Sequence, residues 1–260
     1  MSRTYIVTGA GSGIGLATSQ ILRERGYKVI GVDLKNAEVI ADLSTPKGRQ
    51  QAVTDVLKEA QSVDAVIACA GVAMPKAITV AINYFGVTEF VEGLVPTLAN
   101  SSAPRVVVVS SMASLQPNSA ELVDALLADD EAKALEIGGA LEAQGPQTGY
   151  LNYSSSKRAI SRWIRKVCIA DRFAGQGIAV NAVAPGIVIT EMTKDLLATE
   201  EARKNVDAQV PMPLNYHAKA SDVAKLIIWL SSEENTHVTG QTIYIDGGAD
   251  ATLRGDDIWS

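Results

Sequence analysis

The sequence predicts an α/β fold in which a doubly wound parallel sheet is covered by helices on both faces. Three observations lead to this class. The chain has 260 residues, 47% of them hydrophobic, which is enough to form a buried core. Near-continuous runs of Val, Ile and Ala alternate with helical patterns, as expected for strands buried on both faces of a parallel sheet. A glycine-rich turn joins the first apolar run to the first helical pattern.

The order of apolar runs and helical patterns defines the predicted elements. Strands are predicted over 4–8, 28–33, 63–71, 105–111, 177–186 and 241–246. Helices are predicted over 14–26, 47–60, roughly 77–99 and 220–232. We expect Gly93 and Pro96 to bend the last turns of the third helix. Residues 1–260 are predicted to form one domain, because no repeat, low-complexity stretch or linker divides them.

The apolar run 37–41 leaves one question open. Only three residues separate it from the strand that ends at Asp33, whereas parallel neighbours ordinarily need a crossover of about a dozen residues or more. The run is either a stub or an unusual connection, so a seventh parallel strand stays an open alternative.

Charge and cysteine content narrow the class of protein. The formal net charge is −6 and no block of Lys and Arg stands out, which argues against nucleic acid or an anionic membrane as partner. Cys69 and Cys168 cannot build a disulfide framework. No signal peptide is evident and no later run approaches about 18 apolar residues, so we expect a cytoplasmic protein. His217 and His237 are isolated, and no metal site is predicted.

The turn "TGAGSGIG" at 8–15 is typical of a phosphate-binding site. Gly9, Gly13 and Gly15 allow a tight turn, a close approach of the backbone to a pyrophosphate, and close packing of the next helix. The N-terminus of that helix offers N–H groups and its positive dipole end to phosphates. Glycine turns also end ordinary strands, but here the required strand, turn and helix occur together. We therefore predict a Rossmann-type dinucleotide site.

Asp33 indicates which dinucleotide binds. It ends the second predicted strand, 18 residues after Gly15, where a carboxylate can accept hydrogen bonds from a ribose hydroxyl pair and repel a 2′-phosphate. Ser12 adds no positive charge to the loop. The sequence therefore predicts NAD rather than NADP, although Lys35 could offset part of the repulsion. The alternative is that Asp33 is a simple turn residue.

The stretch "YSSSK" places Tyr153 and Lys157 four residues apart on a predicted helix. Side chains at this spacing share one face of a helix and can contact each other. Taken alone, the pair is also compatible with an ordinary solvated surface.

Six motifs occur in the order seen in the short-chain dehydrogenases/reductases. They are "TGAGSGIG" (8–15), "CAG" (69–71), "NYFG" (83–86), "VVVVSS" (106–111), "YSSSK" (153–157) and "NAVAPG" (181–186). The chain thus resembles this family over essentially its whole length. The segment 31–45 and the long stretch before Tyr153 are similar to the bacterial 3α-hydroxysteroid dehydrogenase/carbonyl reductase group. One departure is at 68–71, which read Ala-Cys-Ala-Gly where the family commonly has Asn-Asn-Ala-Gly, so the Asn side-chain contacts are lost.

The resemblance implies a catalytic set and a cofactor site. The catalytic residues would be Asn83, Ser111, Tyr153 and Lys157, with Ser110 as a neighbouring candidate for the serine. Besides Tyr153 and Lys157, the residues implied to bind the cofactor are Gly9, Ser12, Gly13, Ile14, Gly15, Asp33, Leu34, Asp42, Leu43, Ala70, Gly71, Pro185, Gly186, Val188 and Thr190. Asp33 would bind the adenosine ribose, and Asp42 and Leu43 would flank the adenine. The segment 185–190 would lie near the carboxamide of nicotinamide.

The chemistry of such an enzyme explains these residue types. Carbonyl reduction requires a hydride on carbon and a proton on oxygen, and alcohol oxidation reverses both. A free phenol, with a pKa of about 10, holds its proton too tightly to act as a base at neutral pH. Lys157 and the positive charge of oxidised nicotinamide are expected to lower the pKa of Tyr153. Ser111 would polarise the substrate oxygen, and Asn83 would anchor a water that passes protons to solvent.

The substrate loop is expected at 187–218, a long connection with short helical pieces that resembles a lid. Its apolar residues are Ile187, Val188, Met192, Leu196, Leu197, Val210, Met212, Leu214 and Tyr216. If they line the pocket, the substrate is bulky and apolar, such as a steroid or a cyclic or aromatic ketone; alternatively they pack on the core. We expect an NAD-dependent oxidoreductase of secondary alcohols. The alternatives are a non-catalytic dinucleotide-sensing protein and a carbonyl reductase of monoterpenes or acyl thioesters.

Residues 116–149 are predicted to be a helical insert ahead of the helix with Tyr153. Asn118 and Glu121 have capping-box-like spacing, and Leu122 and Leu126 share a face. This pattern predicts one or two short helices that end near Gly138 and Gly145.

The insert also bears on assembly. It carries seven acids and one base, a net charge of −6. Many family members are tetramers that pair through the long helix before the serine strand and the helix with the catalytic tyrosine. The insert is expected to cover this surface or to repel its own copy; the alternative is an exposed lobe that obstructs nothing. We therefore expect a homodimer that pairs through 220–232 and 241–246.

Overall fold

A seven-stranded parallel sheet forms the centre of the fold. The computed structural model describes residues 3–60 and 62–258. In chain order the strands are β1 (Thr4–Thr8), β2 (Lys28–Asp33), β3 (Val39–Ile40), β4 (Ala65–Ala68), β5 (Arg105–Val109), β6 (Ala179–Pro185), β7 (Val188–Ile189), β8 (Ala218–Lys219) and β9 (Thr242–Ile245). The sheet order is β3-β2-β1-β4-β5-β6-β9, and β7 pairs with β8 separately. The chain reverses its direction across the sheet between β1 and β4, where ligands bind in doubly wound sheets.

The apolar run 37–41 forms a stub in the structure. Val39 and Ile40 pair with Val32 and Asp33 in parallel register, as a two-residue seventh strand. The unusual connection works because β3 is so short. Glu38 turns back to accept the N–H of Gly31 at 2.7 Å, so a side chain bonds the edge of β2 where a longer strand would have paired.

The helices cover both faces of the sheet. In chain order they are α1 (Gly13–Glu24), α2 (Pro46–Glu59), α3 (Ile78–Leu98), α4 (Ala120–Leu127), α5 (Glu131–Ala143), α6 (Pro146–Gly149), α7 (Leu151–Val167), α8 (Glu200–Gln209), α9 (Ala220–Leu230) and α10 (Ala249–Arg254). On one face, α1 and α9 pack against each other and the sheet. On the other face, α2, α3, α7 and the insert helices share one apolar cluster with the sheet. The predicted doubly wound architecture is confirmed.

Helix α3 differs from its prediction in its local geometry and in the length of its apolar run. A π-helical turn at Ala81–Phe85 interrupts it, and the sequence gives no sign of this. Gly93 lets Val53 of α2 pack against the α3 backbone, since an added Cβ would lie 2.8 Å from a Val53 methyl.

By length and composition α3 could also cross a membrane, contrary to our expectation that no run of apolar residues approaches the length of a membrane span. However, 67% of its apolar window is buried inside the fold, as in the core helix of a soluble protein.

The insert forms α4, α5 and the single turn α6, and one predicted helix end is wrong. Helix α4 begins after Ser119, whose hydroxyl accepts the N–H of Leu122 at 3.2 Å, rather than at Asn118. Gly138 does not end a helix but lies buried inside α5. A Cβ there would approach Asn152 Oδ1 to 2.7 Å. The glycine therefore serves a close helix contact, whereas Gly145 (φ 101°) does follow a helix end.

The insert packs on the body of the protein. Leu122 and Leu126 are fully buried in the same cluster as Tyr84 of α3 and Trp163 of α7. Because the apolar face of α4 and α5 covers these two helices, the insert is not an exposed lobe. Of the two effects expected from the sequence, covering the α3 and α7 surface is the one observed.

Candidate active site

A cavity of about 960 Å³ opens at the carboxyl ends of the central strands. Its wall includes all the residues that the sequence predicted to contact a dinucleotide or to act in catalysis, with the exception of Asn83. Both groups of residues are thus brought together in one place, because every strand of a parallel sheet ends at the same edge.

The glycine-rich turn forms the floor of this cavity. Gly9 and Gly13 have φ angles of 69° and 53°, which favour glycine. A Cβ on Gly15 would overlap the carbonyl oxygen of Gly9, so the helix can start here only with glycine. Helix α1 begins at Gly13, and Ser12 and Ile14 at its N-terminus form part of the cavity wall. The cradle suits the phosphates of a dinucleotide.

Asp33 is held at the rim of the cavity by two main-chain donors. The N–H of Gly11 donates to Asp33 Oδ2 at 2.9 Å, and the N–H of Leu34 donates to Oδ1 at 2.7 Å. Asp42 is exposed and Leu43 is buried on the same side of the cavity. In the part of the chain that the structure describes, Lys157 is the one Lys or Arg in the cavity wall.

Tyr153 and Lys157 lie together on α7, as the four-residue spacing predicts. Lys157 Nζ lies 5.8 Å from the centre of the Tyr153 ring and donates to the carbonyl oxygen of Val109 at 2.8 Å. Only 5% of Lys157 is exposed. This burial lowers the pKa of Lys157 to about 8, against a smaller opposing effect of Cys69. Burial also raises the pKa of the Cys69 thiol to about 12, which fits a structural cysteine.

The pKa of Tyr153 is raised in this structure, whereas the sequence predicted that it would be lowered. Burial is the larger cause, and the hydrogen bond with Ser111 opposes it. The groups of the protein alone therefore do not supply the lowering that we expected from Lys157 and oxidised nicotinamide together.

The two candidate serines have different surroundings. Ser110 Oγ donates to the carbonyl oxygen of Lys157 at 3.1 Å and lies 2.9 Å from Ser161 Oγ, so it is engaged with helix α7. Ser111 lies near enough to the Tyr153 phenol to oppose the rise of its pKa, and its Oγ accepts the N–H of Ala113 at 3.1 Å. Of the two hydroxyls, only that of Ser111 is next to the tyrosine.

Asn83 lies behind the cavity wall, in the π-helical turn of α3. Its amide donates to the carbonyl oxygen of Val72 and accepts the N–H of the same residue, both at 2.9 Å. It also donates to Ser156 Oγ at 3.2 Å. The side chain thus ties the loop after β4 to the helix with Tyr153.

The three serines of "YSSSK" are a feature that sequence reasoning missed. All three are fully buried. Ser154 Oγ donates to the carbonyl oxygen of Pro117 at 2.6 Å, and Ser155 Oγ accepts the N–H of Ser119 at 3.0 Å. Together with Ser156, they tie the catalytic helix to the start of the insert and to Asn83. The sequence signal that could have indicated these buried contacts is the run of three consecutive small polar residues on a predicted helix.

The substrate side of the cavity is only partly the predicted one. Of the apolar residues of the loop 187–218, those in the wall are Ile187, Val188, Met192, Leu196 and Val210, with Val206 in addition. Leu197, Met212 and Tyr216 instead line a second cavity of about 1120 Å³. The sequence did not indicate Gln116, the first residue of the insert, or Tyr150, which directly follows the insert; both also form the wall. The Tyr150 ring lies 5.5 Å from that of Tyr153.

Comparison with known proteins shows which family has this arrangement. Residues 9–250 match the family model described as "Enoyl-(Acyl carrier protein) reductase". The chain is 37% identical to the 3-alpha-hydroxysteroid dehydrogenase/carbonyl reductase of Comamonas testosteroni, over 96% of this chain and 97% of that one. The chain belongs to the short-chain dehydrogenase/reductase family. It is thus an oxidoreductase by family, and the resemblance stated from the motifs is confirmed.

Two further relatives show the range within the family. The 3-oxoacyl-[acyl-carrier-protein] reductase of Escherichia coli is 28% identical, over 94% of this chain and 95% of that one. The crystal structure of the 3-alpha-hydroxysteroid dehydrogenase from Pseudomonas sp. B-0831, complexed with NADH, has a TM-score of 0.89 and 36% identity. That similarity covers 98% of this chain and 100% of the other.

Proposed function

We propose that this short-chain dehydrogenase/reductase uses NAD to interconvert a secondary alcohol and a ketone on a bulky, apolar and uncharged substrate. A 3α-hydroxysteroid or another cyclic or aromatic carbonyl compound has this character. The observation that carries the proposal is a single cavity whose wall combines the glycine-rich turn, Asp33, Ser111, Tyr153 and Lys157. We expect the enzyme to work in the cytoplasm, without nucleic acid or membrane as a partner.

The cofactor proposal rests on the chemistry of the cavity wall. The turn with Gly9, Gly13 and Gly15 would hold the diphosphate, Asp33 the adenosine ribose, and the segment 185–190 the nicotinamide end. When bound, the nicotinamide would supply or accept the hydride. The carboxylate of Asp33 and the lack of a wall cation other than Lys157 among the described residues favour NAD over NADP.

The side chains of the enzyme would handle the proton and the substrate oxygen. Tyr153 would exchange its phenol proton with that oxygen, and Ser111 would donate a hydrogen bond to it. Lys157 would stabilise the phenolate form of Tyr153 by its charge and hold the nicotinamide ribose. The relatives named above are enzymes, and the Ser111, Tyr153 and Lys157 set gives no support to the alternative of a dinucleotide sensor.

The wall on the substrate side favours an uncharged apolar molecule. Met112, Val206 and Val210 supply apolar surface there. The charged wall residues in this part are the acids Glu191 and Asp195, which would repel carboxylate or phosphate groups. Acyl-carrier thioesters stay the second candidate because of the 28% identity to an enzyme of that kind.

A cofactor and substrate screen tests the proposal. NADH and NADPH absorbance would be followed with steroids, monoterpene alcohols, aromatic ketones and a 3-oxoacyl thioester. We expect the largest kcat/KM for a neutral cyclic or aromatic substrate with NAD. A clear preference for NADP would show that Lys35 or another cation outweighs Asp33, and a preference for the thioester would replace the substrate class.

A further inference from the structure

Arg49 is a fully buried cation that the proposed reaction does not use. It projects from α2 and is 1% exposed. Its Nε donates to Glu89 of α3 at 2.7 Å, and its Nη2 donates to Glu131 at 2.5 Å. Its Nη1 donates to the carbonyl oxygen of Leu43 at 3.4 Å. Three separate parts of the chain therefore meet on one guanidinium.

Two of these parts have known places in the molecule. Glu131 is the first residue of α5 and belongs to the insert. Leu43 is in the wall of the cavity that contains Tyr153 and Lys157, on the side where the adenosine end would bind. Arg49 is thus the direct connection between the insert and that end of the cofactor site.

The main chain around Leu43 is closely packed, so small shifts matter there. A Cβ on Gly86 of α3 would lie 3.0 Å from the carbonyl oxygen of Leu43, and a Cβ on Gly48 would overlap that of Asp42. Glycine at both positions allows the segment 42–43 to lie against α2 and α3. Arg49 adds a side-chain donor to this segment.

A buried guanidinium keeps its position only while its partners neutralise it. Removing one carboxylate from a buried ion pair leaves a partly uncompensated charge, which is strongly unfavourable. The side chain then turns toward water and loses its other contacts. We propose that Glu131 and Arg49 are positioning residues for the adenosine end of the dinucleotide site, so that the insert sets cofactor affinity. This inference rests on the proposed function.

A pair of charge-matched variants tests it. Glu131→Gln removes the carboxylate on Arg49. Glu136→Gln removes an exposed carboxylate from the same helix, one that pairs with Lys133 at 3.3 Å. Calorimetry would measure the Kd of NAD and of ADP-ribose, which lacks the nicotinamide ring. We expect about tenfold weaker binding of both ligands in Glu131→Gln, with kcat at saturating NAD close to wild type, and no change in Glu136→Gln.

Other outcomes overturn the inference in distinct ways. Unchanged Kd values in Glu131→Gln, with a lowered melting temperature, would show that the ion pair only stabilises the fold. If that variant does not fold, Arg49→Lys decides the matter. It keeps the charge, but its single nitrogen cannot reach the three acceptors that the planar guanidinium spans. Unchanged ADP-ribose binding there also contradicts the inference. A wild-type protein that binds neither NAD nor ADP-ribose would instead refute the proposed function.

Discussion

The two titratable groups at the heart of the cavity are both shifted by burial. It raises the pKa of Tyr153 and lowers that of Lys157, so each group is pushed toward its neutral form. A neutral phenol can donate a proton to a substrate oxygen, and a lysine with a pKa of about 8 changes its charge close to physiological pH. The protein on its own is therefore better prepared to act as an acid than as a base.

Tyr153→Phe tests the proton transfer directly. The variant removes only the phenol oxygen, so we expect turnover to fall by about 10² to 10⁴-fold, while the Kd of NAD stays near the wild-type value. Steady-state kinetics and calorimetry would measure the two quantities. Tyr150→Phe is the matched control, because it loses the same hydroxyl from the neighbouring ring. Wild-type turnover in Tyr153→Phe would end the proposed mechanism.

The pKa of Lys157 predicts how stability depends on pH. In the unfolded chain a lysine titrates near pH 10.4, and in the folded protein this one titrates near 8. Between these values the unfolded state binds more protons, so the free energy of unfolding rises with pH. Below pH 8 the buried charge costs roughly 3 kcal/mol.

Lys157→Met removes this pH dependence along with catalysis. We expect the wild type to gain stability relative to the variant, by roughly 3 kcal/mol, as pH rises from 7 to about 10.5. Chemical unfolding of both proteins in the absence of cofactor would measure the difference. A constant difference over this range would mean that Lys157 titrates normally in the folded state.

At the level of elements, the catalytic helix α7 is fixed by its neighbours on several sides. Ser154 and Ser155 bond the start of the insert, and Asn83 bonds Ser156 from the π-helical turn. Asn152, next to Tyr153, donates to the carbonyl oxygen of Gly138 in α5 at 3.0 Å. The insert is therefore part of the structure that orients Tyr153.

The contact between α5 and α7 can be tested with two neighbouring glycines. A Cβ on Gly138 would lie 2.7 Å from Asn152 Oδ1 and 3.3 Å from Ala77 Cβ, whereas a Cβ on Gly139 would meet nothing within 4 Å. We expect Gly138→Ala to destabilise the protein by about 1–3 kcal/mol through overpacking. Gly139→Ala should stabilise it by about 0.5–1 kcal/mol, since alanine favours helix. Equal effects in urea unfolding would contradict this interpretation of Gly138.

At the scale of the whole molecule, the insert changes the available surfaces. It covers α3 and α7, the helices through which many members of the family form tetramers. Its net charge of −6 equals that of the complete chain, so the rest of the protein is balanced. Helix α9 and the edge strand β9 remain uncovered by the insert, with Trp229 39% exposed on α9.

We therefore predict a homodimer that pairs through α9 and β9. Light scattering at several protein concentrations and salt levels would measure the mass, which should stay that of a dimer throughout. Low salt is the sensitive condition, because repulsion between inserts is least screened there. A stable tetramer at low salt would refute the idea that the insert blocks the second interface.

The sequence by itself determined the features that depend on short stretches of chain. The glycine-rich turn, Asp33 at the end of β2, and the Tyr153 and Lys157 pair all follow from local spacing. The sheet class follows in the same way, because Val-rich runs and helical periods are repeated within a few residues of each other. The stub β3 stayed undecided, since a strand of two residues is too short to give a pattern in the sequence.

Only the tertiary structure decided the features that join distant residues. Arg49 and Glu131 are 82 positions apart, and Asn83 and Ser156 are 73 apart. Gly138 was wrongly predicted to end a helix, because what requires a glycine there is the close contact with Asn152 on another helix. The raised pKa of Tyr153 likewise follows from the fold, because burial is a property of the folded chain and is the larger effect here. The lowering expected with oxidised nicotinamide stays a prediction.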